Sequence, residues 1–163
     1  TTRDAQARYS EAGPDYLYNV ERLLRKFETA KTLVPQPVAR MAARNTRFGV
    51  IYYGSTSPAM SEAFDTLRAQ GVHVDLLRLR AFPFSAAVDH FIAAHEHLFV
   101  IEQNRDAQLR TMLVSEQEVN PAKLEPLLHY DGTPITARFI VEQIGARMNR
   151  FNVEPLIKGN KVA

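Results

Sequence analysis

Hydrophobic and polar positions change their spacing several times along this chain, and the changes mark its elements. From about Tyr16 to Lys31 the apolar residues Leu17, Val20, Leu23, Leu24 and Phe27 recur every three or four positions. That spacing predicts a helix with one apolar stripe. Glu21, Arg22, Arg25 and Glu28 take its other side, and Asp15 is placed to cap it. Leu33-Val34-Pro35-Gln36-Pro37-Val38 cannot continue a helix, so residues 32–45 read as an extended linker. Residues 1–15, with the Gly13-Pro14 break, read as a poorly ordered lead-in.

Beyond the linker, short apolar runs alternate with helical spacing. Arg47–Tyr53 is the first predicted strand, and Gly54-Ser55-Thr56-Ser57 is a tight turn. Ser57 then caps a helix with Pro58 at its first position and Met60, Ala63, Phe64 and Leu67 facing inward; Gly71 ends it. Val72–Leu79 is a second strand, followed by a proline-fixed loop, Ala81-Phe82-Pro83-Phe84. Ser85 caps a helix over Ala86–Ala94. The run Leu98–Glu102 is apolar until it ends in Glu102, Gln103 and Asn104, as a buried strand does at its carboxyl end. Asp106 is placed to cap a helix from Ala107 to about Val114. After an irregular Ser115–Ala122, Leu124–His129 reads as a short strand, with a turn of helix around Leu124 as the alternative, and Tyr130–Pro134 as a turn. Thr136 caps a last helix carrying Phe139, Ile140, Val141, Ile144 and Met148.

This alternation predicts a three-layer α/β/α domain: an open, mostly parallel sheet with helices on both faces. Three parts are expected. Residues 1–45 are a helix and proline linker, the tail of a preceding domain. Residues 46–150 are the α/β domain, and residues 151–163 are a basic tail. The apolar stripe needs a surface to cover it, either on this domain or on an absent partner.

Composition narrows the reading. At 163 residues and 45% apolar content, the chain supports one ordinary core. It has no apolar run long enough to span a bilayer and no leader-like start, so no membrane association is expected. A formal charge of +2, spread along the chain, argues against a nucleic-acid partner. The absence of cysteine rules out disulfides, thiolate zinc sites and cysteine-held iron–sulfur clusters on this chain and fits a reducing cytoplasm.

Catalytic motifs are scarce. There is no phosphate-binding glycine fingerprint and no G-x-S-x-G nucleophile turn. Gly54, Ser55 and Thr56 offer N–H groups and hydroxyls at a helix start, which suits either an anion or ordinary capping. His90, His95 and His97 do not have the i, i+4 spacing of helical metal ligands. Glu102 is the best isolated acid–base candidate, with a structural role bonding backbone amides or an arginine as the alternative. Asp131-Gly132 follows Tyr130 rather than glycine, so it is a turn and not a thiamine-diphosphate signature. No catalytic residue and no metal ligand are assigned. Glu102, Gln103 and Asn104 share one sheet edge with Gly54, Ser55 and Thr56, and these six are the candidate ligand or interface residues.

Several stretches are familiar in this order: Val50-Ile51-Tyr52-Tyr53-Gly54-Ser55-Thr56, Val74–Arg80 with Phe82-Pro83-Phe84, Val100–Leu109, and Tyr130–Ile135. Together, over about residues 46–145, they resemble the transketolase C-terminal-like domain at the C-terminus of the alpha subunit of 2-oxoacid (2-oxoglutarate):ferredoxin oxidoreductases. The resemblance implies a fragment of an enzyme that oxidatively decarboxylates 2-oxoglutarate with coenzyme A, giving succinyl-CoA, carbon dioxide and reduced ferredoxin. It implies thiamine diphosphate, magnesium and an iron–sulfur cluster in the complete enzyme, none of them bound here. It implies as partners the beta subunit, the preceding alpha-subunit domain and, for the whole enzyme, ferredoxin. A fragment with an architectural role and no activity of its own follows. A stand-alone α/β module holding a small anion is the alternative.

Overall fold

The computed structural model describes residues 1–151; the expected basic tail, apart from Phe151, lies outside the described residues. Two short strands, β1 (Thr2–Arg3) and β2 (Tyr9–Ser10), pair antiparallel before helix α1 (Gly13–Leu33). The lead-in is therefore a small hairpin, closed by Asp4, whose Oδ1 accepts the N–H groups of Gln6 and Arg8, each at 2.9 Å. Gly13-Pro14 opens α1 rather than breaking the chain before it, because proline is tolerated in a helix's first turn.

The main sheet has five strands: β3 (Val38–Arg40), β4 (Phe48–Tyr53), β5 (Asp75–Leu79), β6 (His97–Glu102) and β7 (Leu124–Leu128). Their order is β3-β5-β4-β6-β7, parallel except for β3, which pairs antiparallel with β5. So part of the predicted linker is an edge strand. Its register sets Ala39 opposite Leu77, and the extended backbone that the prolines favour is what a strand needs.

Helices α2 (Ser57–Ala69), α3 (Ala86–Ala94), α4 (Gln108–Glu116) and α5 (Ala137–Met148) cover the two faces. Met60, Phe64 and Leu67 of α2 and Ile140, Ile144 and Met148 of α5 pack on Val50, Leu76, Phe99 and Leu127 of one face. Val88, Phe91 and Ile92 of α3 and Leu109 and Leu113 of α4 pack on Ile51, Leu77, Leu98 and Val100 of the other. This is the expected three-layer arrangement. The strands alternate their side chains between two apolar layers, so both faces must be covered. At Gly49 the sheet and α3 approach so closely that a Cβ would lie 2.5 Å from Leu98 Cδ2 and 2.9 Å from Phe91 Cε1.

Helix α1 departs from this pattern. Among the described residues, none of its side chains is buried. Leu17, Val20, Leu23, Leu24 and Phe27 form the predicted stripe and Tyr16 extends it, yet each of the six is between 37% and 63% exposed. Phe27 meets Phe82 edge-on at 5.5 Å, near the helix's carboxyl end.

Candidate functional site

The strands β4 and β6 are neighbours, but the helices that follow them lie on opposite faces of the sheet. The chain therefore parts between their carboxyl ends, leaving a crevice of the kind where open α/β sheets hold ligands. The six candidate residues stand around this switch point. Gly54 leaves β4 with φ of 58°, a left-handed conformation that suits glycine. A 3-10 turn over Gly54–Thr56 then runs directly into α2. Ser57 is inside the helix and does not cap it, contrary to expectation.

Two clusters form here. In the first, Gln103 Nε2 donates to Ser55 Oγ at 3.0 Å and to Thr56 Oγ1 at 3.1 Å. Thr56 is buried, whereas Ser55 and Gln103 are exposed. This amide bridge ties the β6 loop to the β4 turn across the crevice. It takes an acceptor lone pair of each hydroxyl and leaves their O–H groups free to donate.

In the second, Glu102 is fully buried at the end of β6. Its Oε2 accepts the Leu109 N–H at 2.7 Å and the Asn104 amide at 2.8 Å; its Oε1 accepts the Arg110 N–H at 2.9 Å. Asn104 Oδ1 accepts the Asp106 and Gln108 N–H groups at 3.1 and 3.3 Å. Glu102 and Asn104 therefore cap α4. Asp106, expected in that role, instead pairs with Arg105 at 2.7 Å. The cap position is Ala107, held at φ 50° and ψ 48°. The conformation is unfavourable for alanine, and the helix that follows presents its free N–H groups to the carboxylate. Glu102 thus takes the structural role, as an acceptor for two helix N–H donors and the Asn104 amide.

The remaining polar groups are also tied into structure. His95, 3% exposed, sets Nδ1 2.7 Å from the Phe91 carbonyl and Nε2 3.1 Å from Asp75 Oδ2. Asp75 Oδ1 accepts the Ala42 N–H at 2.7 Å, which fastens the chain after β3. Glu125 accepts from His97 Nε2 at 2.9 Å, Arg147 Nε at 2.8 Å and Arg150 at 2.5 Å. Burial alone would raise the Glu125 carboxyl; the bonds from Arg150 and His97, with the charges of Arg150 and Arg147, outweigh it and hold the group below the usual range. Asp131 Oδ1 accepts the Thr133 N–H at 2.8 Å, as the predicted turn requires. Among the described residues no cluster of three potential metal ligands occurs, and no helix is long and apolar enough to cross a membrane.

The geometry defines a class: an open α/β domain of the transketolase C-terminal-like fold. No protein-family model and no curated protein matches the chain. Among solved structures, 2-oxoglutarate:ferredoxin oxidoreductase from Magnetococcus marinus, solved with 2-oxoglutarate, coenzyme A and succinyl-CoA bound, superposes with a TM-score of 0.80 at 20% identity. The match covers 90% of this chain and 25% of that one, so this chain spans about a quarter of its neighbour's length. A split-gene transketolase in an inactive beta4 tetramer superposes with a TM-score of 0.51 at 15% identity, over 69% of this chain and 41% of that one. At these identities the likeness is one of fold.

Proposed function

We propose that this chain is the C-terminal domain of the alpha subunit of a thiamine-diphosphate-dependent 2-oxoacid:ferredoxin oxidoreductase, acting on 2-oxoglutarate in the cytoplasm. Its own work is architectural: it docks against the preceding alpha-subunit domain and the beta subunit. The observation that carries the docking role is the open stripe of α1, six large apolar side chains along one side of a helix with polar flanks. Such a face marks an interaction surface. The fold, shared with a 2-oxoglutarate:ferredoxin oxidoreductase over 90% of the chain, supports the family, as do the sequence stretches from Val50 to Ile135.

In this reading the reaction centre lies in other parts of the enzyme, where thiamine diphosphate, magnesium and an iron–sulfur cluster would be held. The chain's carboxylates agree with this, because Glu102, Glu125 and Asp75 are each occupied by two or more donors from the chain itself. The Gly54–Thr56 turn and the Gln103–Asn104 loop are the contact surface at the sheet edge, with Gln103 able to release its two hydroxyls to a neighbour.

The test is turnover with 2-oxoglutarate, coenzyme A, thiamine diphosphate and ferredoxin. The chain alone is expected to give none, and restoration is expected on adding the remaining alpha-subunit portion and the beta subunit. Robust turnover by the chain alone contradicts the proposal.

A further inference from the structure

Residues 41–46 lead from the edge strand β3 into β4, and a side chain of β5 fastens them. Asp75 Oδ1 accepts the Ala42 N–H at 2.7 Å. Its other oxygen, Oδ2, lies 3.1 Å from Nε2 of His95, the residue that ends α3. The second ring nitrogen, Nδ1, lies 2.7 Å from the Phe91 carbonyl. His95 and Asp75 are buried, at 3% and 7% exposed, so each depends on the other rather than on water.

The hydrogens of this pair follow from its partners. A carbonyl oxygen only accepts, so Nδ1 carries a hydrogen. An ionised carboxylate also only accepts, so Nε2 carries one too. The shared proton sits on the ring, because a carboxylic acid is ordinarily a stronger acid than an imidazolium. A neutral ring with its hydrogen on Nδ1 would aim a lone pair at the carboxylate. That would leave a buried charge without its partner, which is costly. Charged groups on the surrounding elements are turned elsewhere. Arg40 of β3 pairs with Asp65 at 2.7 Å, Arg47 before β4 with Glu96 after α3 at 3.3 Å, and His97 of β6 with Glu125 at 2.9 Å. His73 and Arg44 are the titratable neighbours in sequence, and among the described residues neither side chain bonds to His95 or Asp75.

We propose that His95 and Asp75 form a proton-operated clasp on the connection between β3 and β4. While both ring nitrogens carry hydrogen, Asp75 is held inward and keeps the Ala42 N–H. When pH rises and Nε2 gives its proton to solvent, the carboxylate turns toward water and lets Ala42 go. Two neighbouring fastenings involve no titrating proton: the β3–β5 ladder, and the Thr46 hydroxyl, which donates to the His73 carbonyl at 2.8 Å. Release is therefore confined to the stretch between them, where α1 and β3 join the rest of the domain.

The test is NMR of the full chain over a rising pH series, reading the ring nitrogens of His95 and the exchange protection of backbone amides. With the clasp closed, both ring nitrogens are expected to be protonated. As Nε2 loses its hydrogen, the Ala42 protection factor is expected to fall about tenfold or more, with the same midpoint. The Phe48 amide, held by Thr46 Oγ1 at 3.1 Å, is the control and is expected to keep its protection. In Asp75→Asn the carboxamide can donate to a neutral Nε2 and still accept from Ala42. That variant is expected to keep Ala42 protected across the whole series. The proposal is overturned by an unprotonated Nε2 while Ala42 is protected, by Ala42 protection indifferent to the His95 proton, by joint loss at Ala42 and Phe48, or by release in Asp75→Asn at the parent's midpoint. None of these readings involves turnover or a partner chain, so such a failure is separate from a failure of the proposed function.

Discussion

Replacing Glu102 is the sharpest probe of how the sheet edge is built. The side chain is fully buried and accepts three N–H donors, two of them from the first turn of α4. Hydrogen bonds to a charged group are worth about 1.5–3 kcal/mol each when deleted singly. They share one carboxylate, so their losses do not add. Glu102→Ala leaves three donors unpaired, removes the helix cap and opens a void, and its expected cost is about 4 kcal/mol. Glu102→Gln keeps the volume and one acceptor but turns an amide N–H2 toward N–H donors, for about 2 kcal/mol. At roughly 2–4 °C per kcal/mol for a domain of this size, the alanine variant melts about 8–16 °C lower. Urea denaturation followed by circular dichroism reads both, with lowered midpoints at an unchanged slope. An alanine variant within about 1 kcal/mol of the parent would refute the capping role. Equal losses for alanine and glutamine would refute the argument from unpaired donors.

Other expectations follow from the packing and the ion pairs. Gly49→Ala pushes a methyl group into Leu98 and Phe91, both core residues, and costs about 1–3 kcal/mol by the same denaturation assay. A milder loss would show that α3 shifts freely. Glu125 has a folded-state pKa below its unfolded value, so its bonds contribute stability that is fully present above the unfolded pKa. That contribution is lost as pH falls from about 4.3, the ordinary glutamate value, through the lower folded one. Glu125→Gln should flatten this part of the stability–pH curve, and an unchanged acid limb would contradict the assignment. Ala107→Gly should be neutral or stabilising, against the usual cost of glycine, because φ is 50° there.

The central layers of this fold were legible because their signals are local. Runs such as Leu98–Ile101 are apolar without interruption, as strands buried on two faces must be. The Thr136 cap was readable for the same reason, its hydroxyl accepting the Phe139 N–H at 3.2 Å three residues on. Strand β3 was not legible: Val38, Ala39 and Arg40 are all exposed, lie just after two prolines, and become a strand only by pairing with β5 more than thirty residues later. The α4 cap was misplaced because the local candidate, Asp106, lost to Glu102, which reaches Leu109 seven residues on only after the chain bends through Ala107. Spacing near the helix start gave no sign of that bend. Gln103 meets Ser55 and Thr56 through bonds that depend on the strand order, which places β4 beside β6, whereas Asn104 bonds Glu102 within its own loop.

The central claim is that α1 is a docking element, and one comparison tests it most directly. The full chain and a variant carrying Leu17→Glu and Leu24→Glu are each used to capture the beta subunit of a 2-oxoacid:ferredoxin oxidoreductase from the native extract. Both leucines are more than half exposed, so the variant should unfold at the parent's urea midpoint. The account predicts that the parent retains the beta subunit and the variant loses it. Equal retention by both chains, or no retention of that subunit by the parent, would contradict it.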